Sequence, residues 1–505
     1  MTRTTRRDFT KLVSLGLPLA AWQAQNLEAG IDSKSPQRPH VLILVFDTLS
    51  ASHMSLYGYP RKTTPNLERF ARGATTYEAH YAGGNFTTPG TASLLTGALP
   101  WSHRAFNHAG RLSTPFANRN IFSAFREAGY RTLAYTHNML ACYLLYQCRR
   151  NIDQLLDPGA FCLYDGNLAP RFLSRDADTV TRAFEDFLLQ RGEIPGSLFF
   201  SLVDRVRMRA LRSREIKKHL RDYPRGVPEL FKLTFRLEDA IEGIKQTIGR
   251  ISAPTFAYFH LLPPHEPYRP HRDFVGIFQD RLRIAPKPPS PFSAGVDARE
   301  LQNLRTQYDE FLTYTDAHIG RLMDFLEASG RFDDTIIVFT SDHGQLFERG
   351  IHGHVTEVLY DPIIRVPLII RTPGGTAGQR VSRPTSCIDV LPTVLQLAGL
   401  KIPEWCEGSS LHGQLETDDS NAVFAMEAKQ NPKDAPLKRA SFMIRKGNHK
   451  LVCYRGLQGA EETYELYDLR NDPEEREART ADRGTLTELR AELELEIGKH
   501  DRVRT

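Results

Sequence analysis

Two apolar runs, His40 to Phe46 and Thr335 to Thr340, lead directly into acidic residues: Asp47 after the first, and Asp342-His343 after the second and Ser341. A run that is apolar along its length, rather than at every second position, suits a strand buried on both faces of a parallel sheet. Three further strands are expected, at Tyr130–Tyr135, Thr255–Leu262 and Val366–Arg371, with helical stretches between them, notably Leu301–Ser329. Alternation of this kind predicts an α/β fold with a large, mostly parallel central sheet flanked by helices. The pattern then changes. Short β-like runs at Ala440–Arg445, His449–Tyr454 and Tyr464–Leu469 precede a charged helix from about Thr485. They predict a small C-terminal antiparallel α+β subdomain over 411–505, following a main domain over 36–410.

A chain of 505 residues has room for both parts. With 65 Lys and Arg against 60 Asp and Glu the net charge is only +5, which gives no reason to expect a nucleic-acid partner. Part of that charge lies at the N-terminus. Arg6-Arg7 is followed by a short apolar segment, Leu12 to Ala21, too short to cross a bilayer. Residues 1–30 read as a twin-arginine export signal with its linker, which implies a periplasmic or otherwise exported protein. Trp22-Gln23-Ala24 is a poor cleavage site, so retention of the segment as a membrane anchor is one expectation. Six cysteines without a CxxC pair do not make a disulfide scaffold; Cys142, Cys148 and Cys162 are the near neighbours that an oxidising compartment could pair. About residues 165–250 a helical basic insertion is expected, with Arg205, Arg207, Arg209, Arg212, Arg214, Lys217, Lys218 and Arg221 close together. A solvated helical surface is the plain reading. Association with a membrane surface or an acidic polymer is the sharper one.

Ligands of open α/β sheets bind outside the carboxyl ends of the strands. Asp47, His260, His265, Asp342 and His343 all follow apolar strands at that edge. Asp47, Asp342 and His343 offer oxygen and imidazole donors to one divalent cation, with Ca²⁺, Mg²⁺, Mn²⁺ and Zn²⁺ all compatible. Thr87 stands in Thr87-Thr88-Pro89-Gly90-Thr91, expected to be a turn before a helix. Its hydroxyl there is a candidate nucleophile and a further metal ligand, favoured by the positive end of the helix. His265, in Pro264-His265-Glu266-Pro267-Tyr268, is a candidate general acid or charge clamp, and His354 a second catalytic candidate. His137, His260 and His352 are candidate substrate-binding residues.

In this order the motifs resemble those of the sulfatases, within the alkaline-phosphatase-like superfamily, over roughly residues 38–475. The resemblance rests on Asp47, Leu56-Tyr57-Gly58-Tyr59, Thr64-Pro65-Asn66 and Ala92 to Gly97. It continues through Pro264 to Tyr268, Thr340 to Gly344, Val366 to Ile369, Asp389 to Thr393 and Glu465 to Pro473. The resemblance implies a metal-dependent hydrolase or transferase acting on an anionic ester carried by a glycan, a lipid or a small molecule. The departures matter as much. Sulfatases carry a Cys or Ser that becomes formylglycine, within Cys/Ser-x-Pro-Ser-Arg, and here those positions are Thr87, Gly90 and Thr91. Threonine cannot be converted to that aldehyde, so the chain looks more like the superfamily's phosphotransferases and phosphodiesterases, which pass through a phosphothreonine. Thr48 replaces a second Asp ligand of the family, and no pair for a second metal is evident, so one metal is expected. The family's sulfate-gripping lysines fall, by rough alignment, at His137 and His354. Cleavage of a phosphate or phosphodiester group through Thr87 is the leading expectation. A sulfuric ester hydrolase and a non-catalytic binding member of the family are the alternatives.

Overall fold

The computed structural model describes residues 38–165, 210, 212–231, 233–280, 282, 284–413 and 421–500. The export-signal segment, Arg205, Arg207 and Arg209 lie outside them. The apolar runs become the centre of an eight-stranded sheet. Its strands are β1 (His40–Phe46), β2 (Thr75–Tyr81), β3 (Arg131–Thr136), β4 (Gln154–Leu155), β5 (Thr255–Leu261), β6 (Thr335–Thr340), β7 (Arg365–Arg371) and β8 (Arg380–Ser386). Their order across the sheet is β8-β2-β7-β6-β1-β5-β3-β4. Only β7 runs against its neighbours, so the sheet is mixed and mostly parallel, as expected. Strand β1 pairs with β5 and β6, Val45 facing both His260 and Thr340. That register brings Asp47, His260 and Asp342 to one edge.

Helices α1 (Pro65–Ala71), α2 (Thr87–Thr96), α3 (Ile121–Glu127), α4 (Met139–Gln147), α5 (Leu237–Gly249), α6 (Ala298–Ala328) and α7 (Val390–Leu397) cover the two faces. One core packs α1, α5 and α6 on the sheet through Leu67, Ile244 and Phe311. The other packs α2, α3, α4 and α7 through Leu94, Phe122, Leu144 and Val394. The stretch expected as a helical insertion therefore supplies a core helix, because α5 turns Leu237, Ala240, Ile241, Ile244 and Ile248 inward at helical spacing. Its described part also holds short paired strands at Glu229–Leu230 and Leu233–Thr234.

The C-terminal part is a four-stranded antiparallel sheet, β9 (Ala422–Glu427), β10 (Ala440–Lys446), β11 (His449–Arg455) and β12 (Glu462–Asp468), followed by α8 (Arg483–His500). It packs directly on the larger part, with Trp101 against Phe424 and Phe442. None of the six cysteines forms a disulfide. Among the described residues no helix is long and apolar enough to cross a membrane.

Candidate active site

The expected turn at Thr87 is not there: α2 begins at Thr87 itself, with Phe86 as its N-cap. Pro89 can sit in the first turn because its missing N–H has no carbonyl to serve there. Gly90 is required by its neighbour, since a Cβ at this position would lie 2.0 Å from the Asp342 carbonyl oxygen. The glycine where the sulfatase pattern has serine therefore lets α2 dock against the backbone of a candidate metal ligand. Thr91, where that pattern has arginine, donates to Asp342 Oδ2 at 3.4 Å.

Strand β1 delivers Asp47, whose N–H bonds Leu261. The chain then turns at once, with Thr48 at φ 59°, a left-handed conformation that a β-branched residue adopts only under strain. Tyr308 holds that turn by donating to the Thr48 carbonyl at 2.7 Å and accepting from the Ser50 N–H at 3.1 Å.

Asp47, His260 and Asp342 are buried with their donor atoms within 4.8 Å of one another. His260 Nε2 lies 3.6 Å from both Asp47 Oδ2 and Asp342 Oδ2, too far to hydrogen-bond either. It and Asp47 Oδ1 are buried without a hydrogen-bond partner. His343 Nε2 completes the group, 3.3 Å from Asp47 Oδ1 and 3.6 Å from Asp342 Oδ2. Its Nδ1 faces the Gly344 carbonyl at 3.0 Å and must be the donor there, which leaves a lone pair on Nε2 of the neutral ring. Orphaned donors at these distances, carboxylate and imidazole in kind, fit one divalent cation. His260, expected to bind substrate, thus lies among the candidate metal ligands.

The field in the cluster is negative. Burial opposes charge on Asp47, yet the rings of His260 and His343 and the nearby His265 outweigh it and hold its carboxyl well below the usual range. Asp342 goes the other way, raised by burial and then by the charge of Asp47. Burial favours a neutral His343, but Asp342 and Asp47 push its pKa up to about 9. Two buried carboxylates this close do not both ionise without positive charge between them.

Thr87 Oγ1 lies 3.4 Å from His343 Nε2 and 3.2 Å from Asn138 Nδ2. Asn138 also donates to Asp47 Oδ2, and its Oδ1 caps α4 through the Leu140 and Ala141 N–H groups. The reading from sequence passed over this residue for His137 beside it, although an Asn before an apolar helical run is a helix-start signal. His137 itself accepts from the Leu262 N–H at 2.6 Å, stacks on Phe235 and is held neutral by burial, its pKa pushed down to about 3. His354 packs over His343 and edge-on to His265, with ring centroids at 4.5 and 5.0 Å. Burial, then the His343 and His265 rings, hold its pKa well below the ordinary value, so neither His137 nor His354 is a cationic clamp near neutral pH. Gln345, also unforeseen, bridges His354 Nδ1 and the Tyr268 hydroxyl, both at 2.7 Å. His352 stands one step further out, 3.1 Å from Tyr268 and 3.5 Å from Glu266. His265 Nδ1 donates to the Glu266 carbonyl at 2.7 Å, so its Nε2 is the nitrogen left for exchange.

Paired carboxylates and imidazoles beside a hydroxyl at a helix start are groups that cation-assisted ester cleavage uses. A family profile described as Sulfatase matches residues 39–203 and 233–400, and one described as N-sulphoglucosamine sulphohydrolase, C-terminal, matches residues 350–502. The chain belongs to the sulfatase family. It is 26% identical over 427 residues to the multifunctional alkaline phosphatase superfamily protein PehA of Trinickia caryophylli, covering 74% of this chain and 76% of that one. It is 24% identical over 464 residues to the choline-sulfatase of Rhizobium meliloti (strain 1021), covering 86% and 81%. The crystal structure of the phosphonate monoester hydrolase of Agrobacterium radiobacter shares the fold, with a TM-score of 0.66 at 20% identity over 92% of this chain and 96% of that one.

Proposed function

We propose that this sulfatase-family ester hydrolase cleaves a phosphoric ester, monoester or diester, with Thr87 as nucleophile. One observation carries the reading: an unmodifiable hydroxyl begins α2 and faces His343 and Asn138 beside the carboxylate cluster. The first N–H groups of α2 have no carbonyl to bind within the helix and suit an anionic group. A divalent cation held by Asp47, His260, Asp342 and His343 would shield the ester's charge and ease loss of the Thr87 proton. Thr87 Oγ forms the bond to phosphorus as the bond to the ester oxygen breaks, and water later releases the phosphoryl group. His265 Nε2 is the candidate donor of the proton that the departing oxygen takes up.

Relatives of both chemistries fit the chain, a choline-sulfatase among them, so sulfuric ester hydrolysis through Thr87 is the second reading. Export through the twin-arginine pathway is part of the proposal and rests on Arg6-Arg7 and the apolar segment after it. The test is intact-mass spectrometry of the metal-loaded protein after brief exposure to a phosphodiester, a phosphomonoester or a sulfate ester, beside Thr87→Ala. A phosphate-sized adduct absent from Thr87→Ala, with turnover of the same ester, is expected. Turnover of the sulfate ester alone would replace the reading by the second one, and full activity in Thr87→Ala would end both.

A further inference from the structure

Three of the segments that carry candidate site residues are tied to one buried four-residue turn, Asp361–Ile364. Ser50, shortly after Asp47, donates through Oγ to the Pro362 carbonyl at 2.7 Å. Gln345 donates its backbone N–H to the same oxygen at 3.0 Å, and Gly344, next to His343, donates to the Ile363 carbonyl at 2.5 Å. Ala82, on the approach to Thr87, donates to the Ile364 carbonyl at 2.8 Å. The fit at Gly344 leaves no room for a side chain, since a Cβ would lie 2.2 Å from the Pro362 oxygen.

The turn is in turn gripped by the C-terminal sheet. Lys450 of β11, fully buried, reaches Asp361 Oδ1 at 2.8 Å and Glu475 Oε1 at 2.5 Å. The other Glu475 oxygen accepts the Asp361 N–H at 2.8 Å. Tyr81 at the end of β2 donates to Asp361 Oδ2 at 3.1 Å, and Arg445 of β10 donates to Tyr81.

We infer that Lys450 and Glu475 are positioning residues: through the turn Asp361–Ile364, the C-terminal sheet sets the spacing of the loops bearing Asp47, Thr87 and Asp342-His343. The inference rests on the proposed cation site. A lysine buried between two carboxylates could equally be an anchor that only attaches the sheet. The two roles differ in what they do to the site. An anchor changes melting temperature and leaves cation affinity alone. A positioning residue changes the geometry of the donors, an effect that outer partners of metal ligands exert on affinity by about 10–100-fold.

The experiment is calorimetric titration of the full chain with Ca²⁺, Mg²⁺, Mn²⁺ and Zn²⁺ separately. It compares wild type, Ser50→Ala, Lys450→Met and the double variant. Lys450→Met is expected to weaken the tightest cation by about tenfold or more while remaining folded. The double variant is expected to lose less than the product of the two single losses, because both act through one turn. If Lys450→Met does not fold, Glu475→Gln, which keeps the side chain's shape but removes its charge from Lys450, replaces it in the same cycle and is read the same way. Unchanged affinity in the folded variant, or losses that simply multiply, would overturn the inference while leaving the function intact. A wild type that binds none of the four cations would remove the proposed site and this inference with it.

Discussion

One amide does two separate jobs at Asn138. Its oxygen caps α4, and its nitrogen donates to Asp47 and Thr87. Asn138→Asp keeps the cap acceptor and removes the donor, so turnover should fall by about 10²-fold, as when one aligned donor is lost from an active site, while the new carboxylate against Asp47 adds repulsion that lowers the melting temperature. Asn138→Ala should lose the cap as well, at about 1 kcal/mol. Steady-state kinetics and thermal unfolding on the two variants separate these effects. An Asp variant as active as wild type would take Asn138 out of the site. At this scale the sequence was legible where chemistry is rare. An Asp or an Asp-His pair closing an apolar strand stands out, and Asp47, Asp342 and His343 do meet. Residues whose role depends on partners across the sheet were not. His260 stands one residue before the end of β5 and His137 just after β3, but the first faces the carboxylates and the second a backbone N–H.

Among elements, strands buried on both faces were readable from their apolar runs. β1 and β6 match the expected spans, and β3, β5 and β7 differ by a residue at one end or both. Strands β2 and β8 were not read, since Thr75–Tyr81 mixes polar residues and Arg380–Ser386 carries Pro384 at the sheet edge. The start of α2 was misread because Pro89 and Gly90 usually mark turns, whereas here one fills a first-turn position and the other makes room for Asp342. The start of α1 carries a prediction. Asp316 of α6 accepts from the Asn66 and Leu67 N–H groups at 2.8 and 2.9 Å. Burial outweighs those bonds and raises its pKa to about 6. With the folded value above the unfolded one, its contribution to stability is complete below the unfolded pKa of about 3.9 and is lost as pH rises through about 6. The stability difference between wild type and Asp316→Asn should therefore shift by on the order of 2 kcal/mol against wild type between about pH 4 and pH 7. Denaturant titrations of both proteins across that range measure it, and a pH-independent difference would contradict the raised value.

Over the whole molecule, the site is a junction. Asp47, His260 and Asp342 stand at the ends of adjacent strands, Thr87 comes from a helix packed on them, and the C-terminal sheet grips the turn beneath. A cation binding only the folded arrangement adds its binding free energy to folding, about 2.7 kcal/mol when free cation exceeds Kd by about a hundredfold. Differential scanning calorimetry should show a higher melting temperature with the cognate cation than with a chelator. The gain should be absent in Asp47→Asn, which removes a charged ligand while keeping the side chain's shape. The chelated protein is informative too. There Asp47→Asn relieves the repulsion that Asp47 exerts on Asp342, but it also gives up the attraction of the His260, His343 and His265 rings that holds the Asp47 carboxyl well below its usual range. The variant should therefore fall below wild type by a wider margin with cation than without it. A variant less stable than wild type by the same margin in both conditions would mean that Asp47 serves the fold rather than a metal.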